Sequence, residues 1–294
     1  MKKLLALSLA TTLTVASSHA QDHDHNEAAG RFDPSKPVMT EVADGVYQYF
    51  HFYYTSLVVV TDEGVLVTDP SGEPRAAAMR EEIRKITDQP VTKVIYSHDH
   101  FDHSRGGQIF KDEGAEFTSH ENCTELLSRD LENKVVQPDT TYQDSLRVKV
   151  GDKSVDLHYF GPNDGTCMSV IHMPEEKLLL AVDWHLQGYV NEPHRLVAHN
   201  YIGVLNTMKR VREELEFDIV LSGHMPSSSP EQFEEDYRFN QALFDAVWTG
   251  MRAGKSVEEL KKSIKLPDFS HWRGYEENLP AHVERMAYGI WHGN

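Results

Sequence analysis

Apolar and polar positions alternate along this chain in short runs that switch between a two-residue and a helical period. The segment 38–50 predicts one or two strands with Asp44-Gly45 as a turn. The β-branched runs at 57–60 and 65–68 flank Thr61-Asp62-Glu63-Gly64 as a hairpin. After a break at Asp69-Pro70, Ala76, Ala77, Ala78, Met79, Ile83 and Ile86 follow a helical period across 73–86. Val91-Thr92-Lys93-Val94-Ile95-Tyr96 is a buried-type strand, followed by a short helix ending at Lys111, a strand near 116–118 and a helix over about 121–132. The second half predicts hairpins of 145–150 with 154–160 and of 168–172 with 177–182. A helix over 198–216 then carries Val204, Leu205, Met208, Val211 and Leu215 on one face, before a short strand at 218–221. From Pro230 on the pattern is helical, with Phe233, Tyr237, Phe244 and Val247 at helical spacing. Alternating strands and helices imply sheets covered by helices. No linker rich in Pro, Gly or Ser divides them, so the two halves read as one sandwich.

Bulk properties narrow the picture. The 294 residues allow one large domain or two small ones. Lys2-Lys3, the apolar stretch 4–15 and Ser18-His19-Ala20 predict a cleavable signal peptide over 1–20, hence a periplasmic or secreted protein. The apolar run is short for a bilayer span, so no stable membrane insertion is expected. Losing residues 1–20 removes two lysines and no acid, which takes the formal charge from −17 to −19. Such a surface repels phosphate backbones and argues against nucleic acid as a partner. The polar stretch 21–37, with His23 and His25, predicts a disordered tail. Export permits one bridge between Cys123 and Cys167, but nothing in the sequence brings them together, and free buried thiols are the expectation. Oligomeric state is not legible.

The chemistry concentrates at Ser97-His98-Asp99-His100-Phe101-Asp102-His103-Ser104, where three imidazoles and two carboxylates fall within six residues just after a strand. These are ligand groups for zinc and similar divalent ions. In an extended segment residues two apart face one side, so His98 and His100 grip one ion. If the chain then bends, Asp102 and His103 face a second ion about 3.5–4 Å away. A solvated loop is the plain alternative, but the preceding strand and the helix start after Gly106-Gly107 give the motif its structural context. Three later groups also end strands: Asp164 in Gly161-Pro162-Asn163-Asp164, Asp183 after Leu178-Leu179-Leu180-Ala181-Val182, and His224 in Ser222-Gly223-His224. Each alone is an ordinary turn residue or helix cap.

Taken together, His98-x-His100-x-Asp102-His103, Gly161-Pro162-x-Asp164, Asp183 and Gly223-His224 resemble the metallo-β-lactamase superfamily of hydrolases, in order from about Val38 to Met225. The resemblance implies an α/β fold, a four-layered αββα sandwich with the metal centre at one sheet edge. It makes 38–228 the metal-dependent hydrolase domain, with 229–294 a C-terminal helical extension packed on it. It also implies His98, His100 and Asp164 on a first metal, Asp102, His103 and His224 on a second, Asp183 bridging, and Asp69 behind them. The cofactor implied is two divalent metal ions, zinc first, with iron or manganese as alternatives. One departure stands out, since the family usually has His where this chain has Asp164. Asp102, Asp164, Asp183 and one bridging hydroxide supply four negative charges, matching two divalent cations. A more neutral cluster is a weaker Lewis acid, and a hard oxygen ligand moves the first site towards iron or manganese. A bridging Asp183 resembles glyoxalase II-like thioesterases and lactonases, whereas β-lactamases of the family generally lack it.

The expected function is therefore metal-assisted hydrolysis of a small ester, thioester, lactone or amide by a metal-bound hydroxide, with Asp102 and Asp183 as the catalytic carboxylates. The alternatives are a mononuclear iron persulfide dioxygenase-like oxidoreductase and a non-catalytic metal-binding protein. His185 and the loop 188–195 are expected to border the pocket, with Arg195 either pairing a substrate anion or lying on the surface. The aromatic stretch His51-Phe52-Tyr53-Tyr54 reads equally as substrate wall or as core. His120, His158, His172 and His199 carry no assigned function, and the stripe around Trp272, Tyr275 and 283–291 reads as core, cap or dimer contact.

Overall fold

The computed structural model describes residues 33–195 and 197–293. The expected signal peptide and most of the expected tail lie outside them. The described end of that tail is held in place, with the Pro34 carbonyl accepting from Phe52 N and the Ser35 carbonyl bonded to the His51 ring.

The first half forms a seven-stranded sheet in sequence order. Strands β1 (Val38–Ala43), β2 (Val46–His51), β3 (Tyr54–Thr61) and β4 (Gly64–Thr68) are antiparallel neighbours. Strands β5 (Val91–Ile95), β6 (Glu116–His120) and β7 (Thr140–Tyr142) continue the sheet in parallel. Between them run helices α1 (Glu73–Arg84), α2 (Phe101–Ser104), α3 (Gln108–Asp112) and α4 (Cys123–Leu127). The second sheet has five strands: β8 (Ser145–Val150), β9 (Lys153–His158), β10 (Val170–Met173), β11 (Leu178–Ala181) and β12 (Ile219–Ser222), ordered β12-β11-β10-β9-β8. Helices α5 (Tyr201–Glu214), α6 (Pro230–Arg252), α7 (Val257–Ser263) and α8 (Tyr275–His292) complete the chain.

The two-residue period of the strands explains the layering. On β3 and β4, Leu57, Val59 and Leu66 enter the core between the sheets, while Val58, Val65 and Val67 face a second core under α1, α3 and α4. Ala76, Met79 and Ile83 of α1 cover that second core. Across the sandwich, Val204, Met208 and Val211 of α5 lie on the inter-sheet cluster with β10 and β11. The order is helix, sheet, sheet, helix, as expected. The C-terminal helices bury a third cluster of their own, including Phe239, Leu243, Leu260, Trp272, Tyr275, Val283 and Met286. The stripe expected around Trp272 and Tyr275 is therefore core, with Tyr288 and Trp291 exposed at its end. Contacts from Pro34 onward form one unit with no break at residue 228. Among the described residues no helix is long and apolar enough to cross a membrane.

Two local expectations are corrected. The helix expected over 121–132 ends at Leu127 because the Asp130 carboxylate accepts from the backbone N–H groups of Glu132, Lys134 and Val135, turning the chain. Cys123 and Cys167, expected as free thiols, form a disulfide with a Cα–Cα distance of 5.3 Å. Packing α4 beside the loop after β9 brings together two residues 44 apart in sequence.

Candidate metal centre

Parallel pairing of β4 with β5 and of β11 with β12 puts the ends of these strands at common edges, and the chemistry-bearing side chains follow those ends. Asp69 follows β4, the His cluster follows β5, Asp183 follows β11 and His224 follows β12. Asp69 (φ 40°) and Asp183 (φ 62°) both sit in the left-handed region, a strained conformation that Asp tolerates better than bulkier residues. Gly223 has a different role. A Cβ there would stand 2.8 Å from Asp183 Oδ1, so only glycine lets the two loops close.

The folded chain gathers the seven predicted ligands into two clusters. His98, His100, Asp164 and Asp183 offer ligand atoms that all lie within 4.8 Å of one another, and so do Asp102, His103 and His224. Asp183 joins them: its Oδ2 is 3.4 Å from His98 Nε2 and 3.3 Å from His103 Nε2, and its Oδ1 is 2.9 Å from His224 Nε2. His103 Nε2 and His224 Nε2 face each other at 3.4 Å. A third grouping, Asp99 with Cys123 and Cys167, is the disulfide and is not available to a metal.

The hydrogen-bond network assigns which ring nitrogen of His98, His103 and His224 carries its proton. The Ser97 hydroxyl lies 2.7 Å from Asp69 Oδ2 and donates to it, so it accepts from His98 Nδ1 at 2.8 Å. His103 Nδ1 faces the same Asp69 oxygen at 3.3 Å, and His224 Nδ1 donates to the Tyr53 carbonyl at 2.8 Å. All three Nε2 atoms then point bare lone pairs towards Asp183. His98 Nε2 and Asp183 Oδ1 are buried with no hydrogen-bond partner. Acceptors packed against acceptors in a buried pocket are the signature of a cation site, and the residues fit two divalent ions. Protons compete for the same atoms. Burial lowers the His103 pKa, but the Asp183 and Asp69 carboxylates outweigh it and raise it well above the ordinary value. Burial likewise opposes the Asp183 charge, and His103 and His224 overcome it, holding its pKa well below the usual range.

Asp164 lies beside the His cluster, with Oδ2 3.7 Å from His100 Nδ1. His199, assigned no function from sequence, backs it, with Nδ1 3.2 Å from Asp164 Oδ1. Burial raises the Asp164 pKa, but the His199 contact outweighs it and the net shift is down. Tyr54 is a second residue that sequence reasoning left open. Its hydroxyl donates to Asp102 Oδ2 at 3.2 Å, and its ring lies against His103 and His224. Phe52 and Tyr53 are exposed at the turn before it. Asp102 itself is half exposed.

One border expectation changes, and Arg195 takes the surface alternative. His185 is fully buried and turned away from the ligands, bonded to Asp236 Oδ2 (2.9 Å) and Ser228 Oγ (2.7 Å). Arg195 lies exposed and pairs with Glu192. His120 and His172 are satisfied by the Gln143 and Glu216 carbonyls. A hollow of about 490 Å³ beside Lys177 and Asp218 lies where β11 and β12 begin, at the far end from Asp183 and His224.

Comparison with known proteins agrees with this geometry. The family model described as Metallo-beta-lactamase superfamily matches residues 50–224. The 2,4-dinitroanisole O-demethylase subunit alpha of Nocardioides sp. (strain JS1661) is 24% identical over 234 residues, 77% of this chain and 67% of that protein. The linear primary-alkylsulfatase of Pseudomonas sp. (strain ATCC 19151) is 21% identical over 287 residues, 79% of this chain and 53% of that protein. The solved stereoselective inverting sec-alkylsulfatase of Pseudomonas sp. has a TM-score of 0.72 at 14% identity, over 88% of this chain and 51% of its own. The chain thus spans about half the length of the alkylsulfatases it matches. A share of 88% also takes in helices beyond residue 224, so the sulfatase fold shares part of the C-terminal extension.

Proposed function

Because the chain belongs to the metallo-beta-lactamase superfamily, we propose that it is a metal-dependent hydrolase of a small ester-type substrate, acting at a dinuclear centre. His98, His100 and Asp164 would hold one ion, Asp102, His103 and His224 the other, and Asp183 both. The observation that carries the reading is the convergence of three bare imidazole nitrogens on one buried carboxylate. The full second set is more than a single-iron oxygenase needs. Two divalent ions held there supply Lewis acidity and a water of lowered pKa.

The chain's own residues divide the remaining work. Asp183, enclosed by three imidazoles and buried, fixes the spacing of the two clusters. Asp102 is the carboxylate with solvent access, and Tyr54 holds one of its oxygens. That leaves Asp102 placed to take the proton of an attacking water. Asp69 and Ser97 keep His98 and His103 in the ligating tautomer. Substrates of the named relatives extend the panel to be tested from carboxylic esters, thioesters, lactones and amides to sulfate esters and aryl methyl ethers. The test is that panel on zinc-, iron- and manganese-loaded protein alongside chelator-stripped protein. The proposal expects hydrolysis of at least one ester class that chelation abolishes and metal restores. Turnover that survives complete metal removal would overturn it.

A further inference from the structure

Strands β11 and β12 pair in register up to Ala181 beside Ser222, and each delivers one ligand just beyond that point, Asp183 and His224. Asp183 does so from an unfavourable backbone conformation. Its φ is 62°, and the Trp184 N–H donates to the Val182 carbonyl at 2.8 Å, closing a γ-turn of the positive-φ type centred on Asp183. Such turns are rare and strained, and a strained residue persists only where its surroundings over-determine it.

Those surroundings lie behind the ligands. His185, two residues after Asp183, is fully buried and anchored at three points. Its Nδ1 donates to Asp236 Oδ2 at 2.9 Å, its Nε2 is bonded to Ser228 Oγ at 2.7 Å, and its carbonyl accepts from Ser222 Oγ at 2.7 Å. Asp236 lies on α6 and is 5% exposed. Its Oδ2 also accepts from the Leu186 N–H at 3.0 Å, and its Oδ1 from Asn240 Nδ2 at 3.0 Å. Ser228 belongs to the other loop, four residues after His224, and Gln187 Nε2 adds a second tie to that loop by donating to the Ser227 carbonyl. A buried polar network with its members paired in this way rigidifies what it joins. What it joins here are the two chain segments that carry Asp183 and His224.

We infer that His185 is the positioning residue of Asp183: held by Asp236 and Ser228, it locks the Asp183 turn and fixes it against the His224 loop. The inference rests on the dinuclear centre proposed above, whose spacing would then be set from α6, a helix beyond the family match that ends at residue 224. Neither His185 nor Asp236 touches an ion in this account; both act through Asp183.

The test uses full-length Asp236→Ala, Ser228→Ala and Ser228→Thr proteins beside Leu243→Ala, a substitution on α6 whose side chain packs in the third core. Competition with a chromophoric chelator reads metal affinity, and the visible absorption of cobalt-loaded protein reads coordination geometry. Asp236→Ala is expected to weaken metal binding by about tenfold or more and to alter the cobalt spectrum. Ser228→Ala is expected to act in the same direction, and Ser228→Thr, which keeps the hydroxyl, to restore wild-type behaviour. Leu243→Ala is expected to lower the urea midpoint and leave affinity and spectrum unchanged. Amide exchange at Trp184 in the metal-free protein reads the turn itself, and is expected to quicken in Asp236→Ala and Ser228→Ala but not in Leu243→Ala. If the wild type takes up no metal pair while Trp184 exchange follows these substitutions, the positioning role stands and the dinuclear reading fails. If the wild type binds two ions and folded Asp236→Ala and Ser228→Ala bind them as tightly, or Leu243→Ala loses metal as they do, the positioning role is overturned and the dinuclear reading stands. Where Asp236→Ala does not fold, the contrast of Ser228→Ala with Ser228→Thr decides alone.

Discussion

Asp69→Asn isolates the tautomer argument on which both ion sites depend. Asn keeps the size of the side chain and one acceptor, which can still meet the Ser97 backbone N–H now bonded to Asp69 Oδ1 at 2.8 Å. The other oxygen becomes an NH₂ group. Ser97 Oγ, 2.7 Å from that position, must then accept, so its proton turns to His98 Nδ1 at 2.8 Å. The His98 proton moves to Nε2. His103 Nδ1, 3.3 Å from the same atom, faces a donor and makes the same change. One ligand nitrogen in each cluster is thereby capped by a proton. Loss of such an orienting partner costs about 10–100-fold in metal affinity, or about 1.4–2.7 kcal/mol per site. Competition against a chromophoric chelator reads this for both ions, with circular dichroism confirming that the fold persists. The expected result is at least about tenfold weaker binding at both sites. Wild-type affinity at both sites in a folded Asp69→Asn protein would refute the tautomer assignment.

Gly223→Ala places a Cβ 2.8 Å from Asp183 Oδ1 and 3.0 Å from Asp183 N; relieving it is expected to cost about 1–3 kcal/mol, read as a lower Tm and reduced binding of the second ion. Reducing the Cys123–Cys167 bridge reopens a loop with a sequence separation of 44. The chain-entropy relation gives about 4 kcal/mol for it, measured as a shift in urea midpoint that Cys123→Ala/Cys167→Ala protein lacks. His282 is fully buried by α5 and α8, with its Nδ1 3.0 Å from the Tyr201 hydroxyl and its Nε2 bonded to the Asn191 carbonyl. Burial takes its pKa from 6.5 to about 4, against that carbonyl bond, so the unfolded chain protonates first as pH falls. The associated stability is full above pH 6.5 and is lost towards pH 4, by about 3 kcal/mol. Urea titrations at neutral and acid pH are expected to show a shallower pH dependence for His282→Gln than for the wild type.

Much of this was legible because it is local. His98 and His100 fall two residues apart just after β5 and meet in one cluster, and most strands and helices of both halves follow from the spacing of apolar residues. What stayed hidden depends on distant packing. No spacing rule pairs Cys123 with Cys167 or sets His199 behind Asp164, since α4 and α5 must first dock beside the Asp164 loop. The shortened α4 reflects one carboxylate, Asp130, outcompeting helical bonds. His185 lies next to the ligand region in sequence, yet α6 draws it away through Asp236. A cavity under α8 arises from segments far apart in sequence, with Pro162 and Gly165 on one side and Arg285 on the other.

The most direct test of the dinuclear centre is anomalous diffraction above the zinc edge from crystals of zinc-loaded protein. Two peaks are predicted, one among His98, His100 and Asp164 and one among Asp102, His103 and His224, with Asp183 contacting both. A single peak, or zinc bound only outside these side chains, would contradict the account.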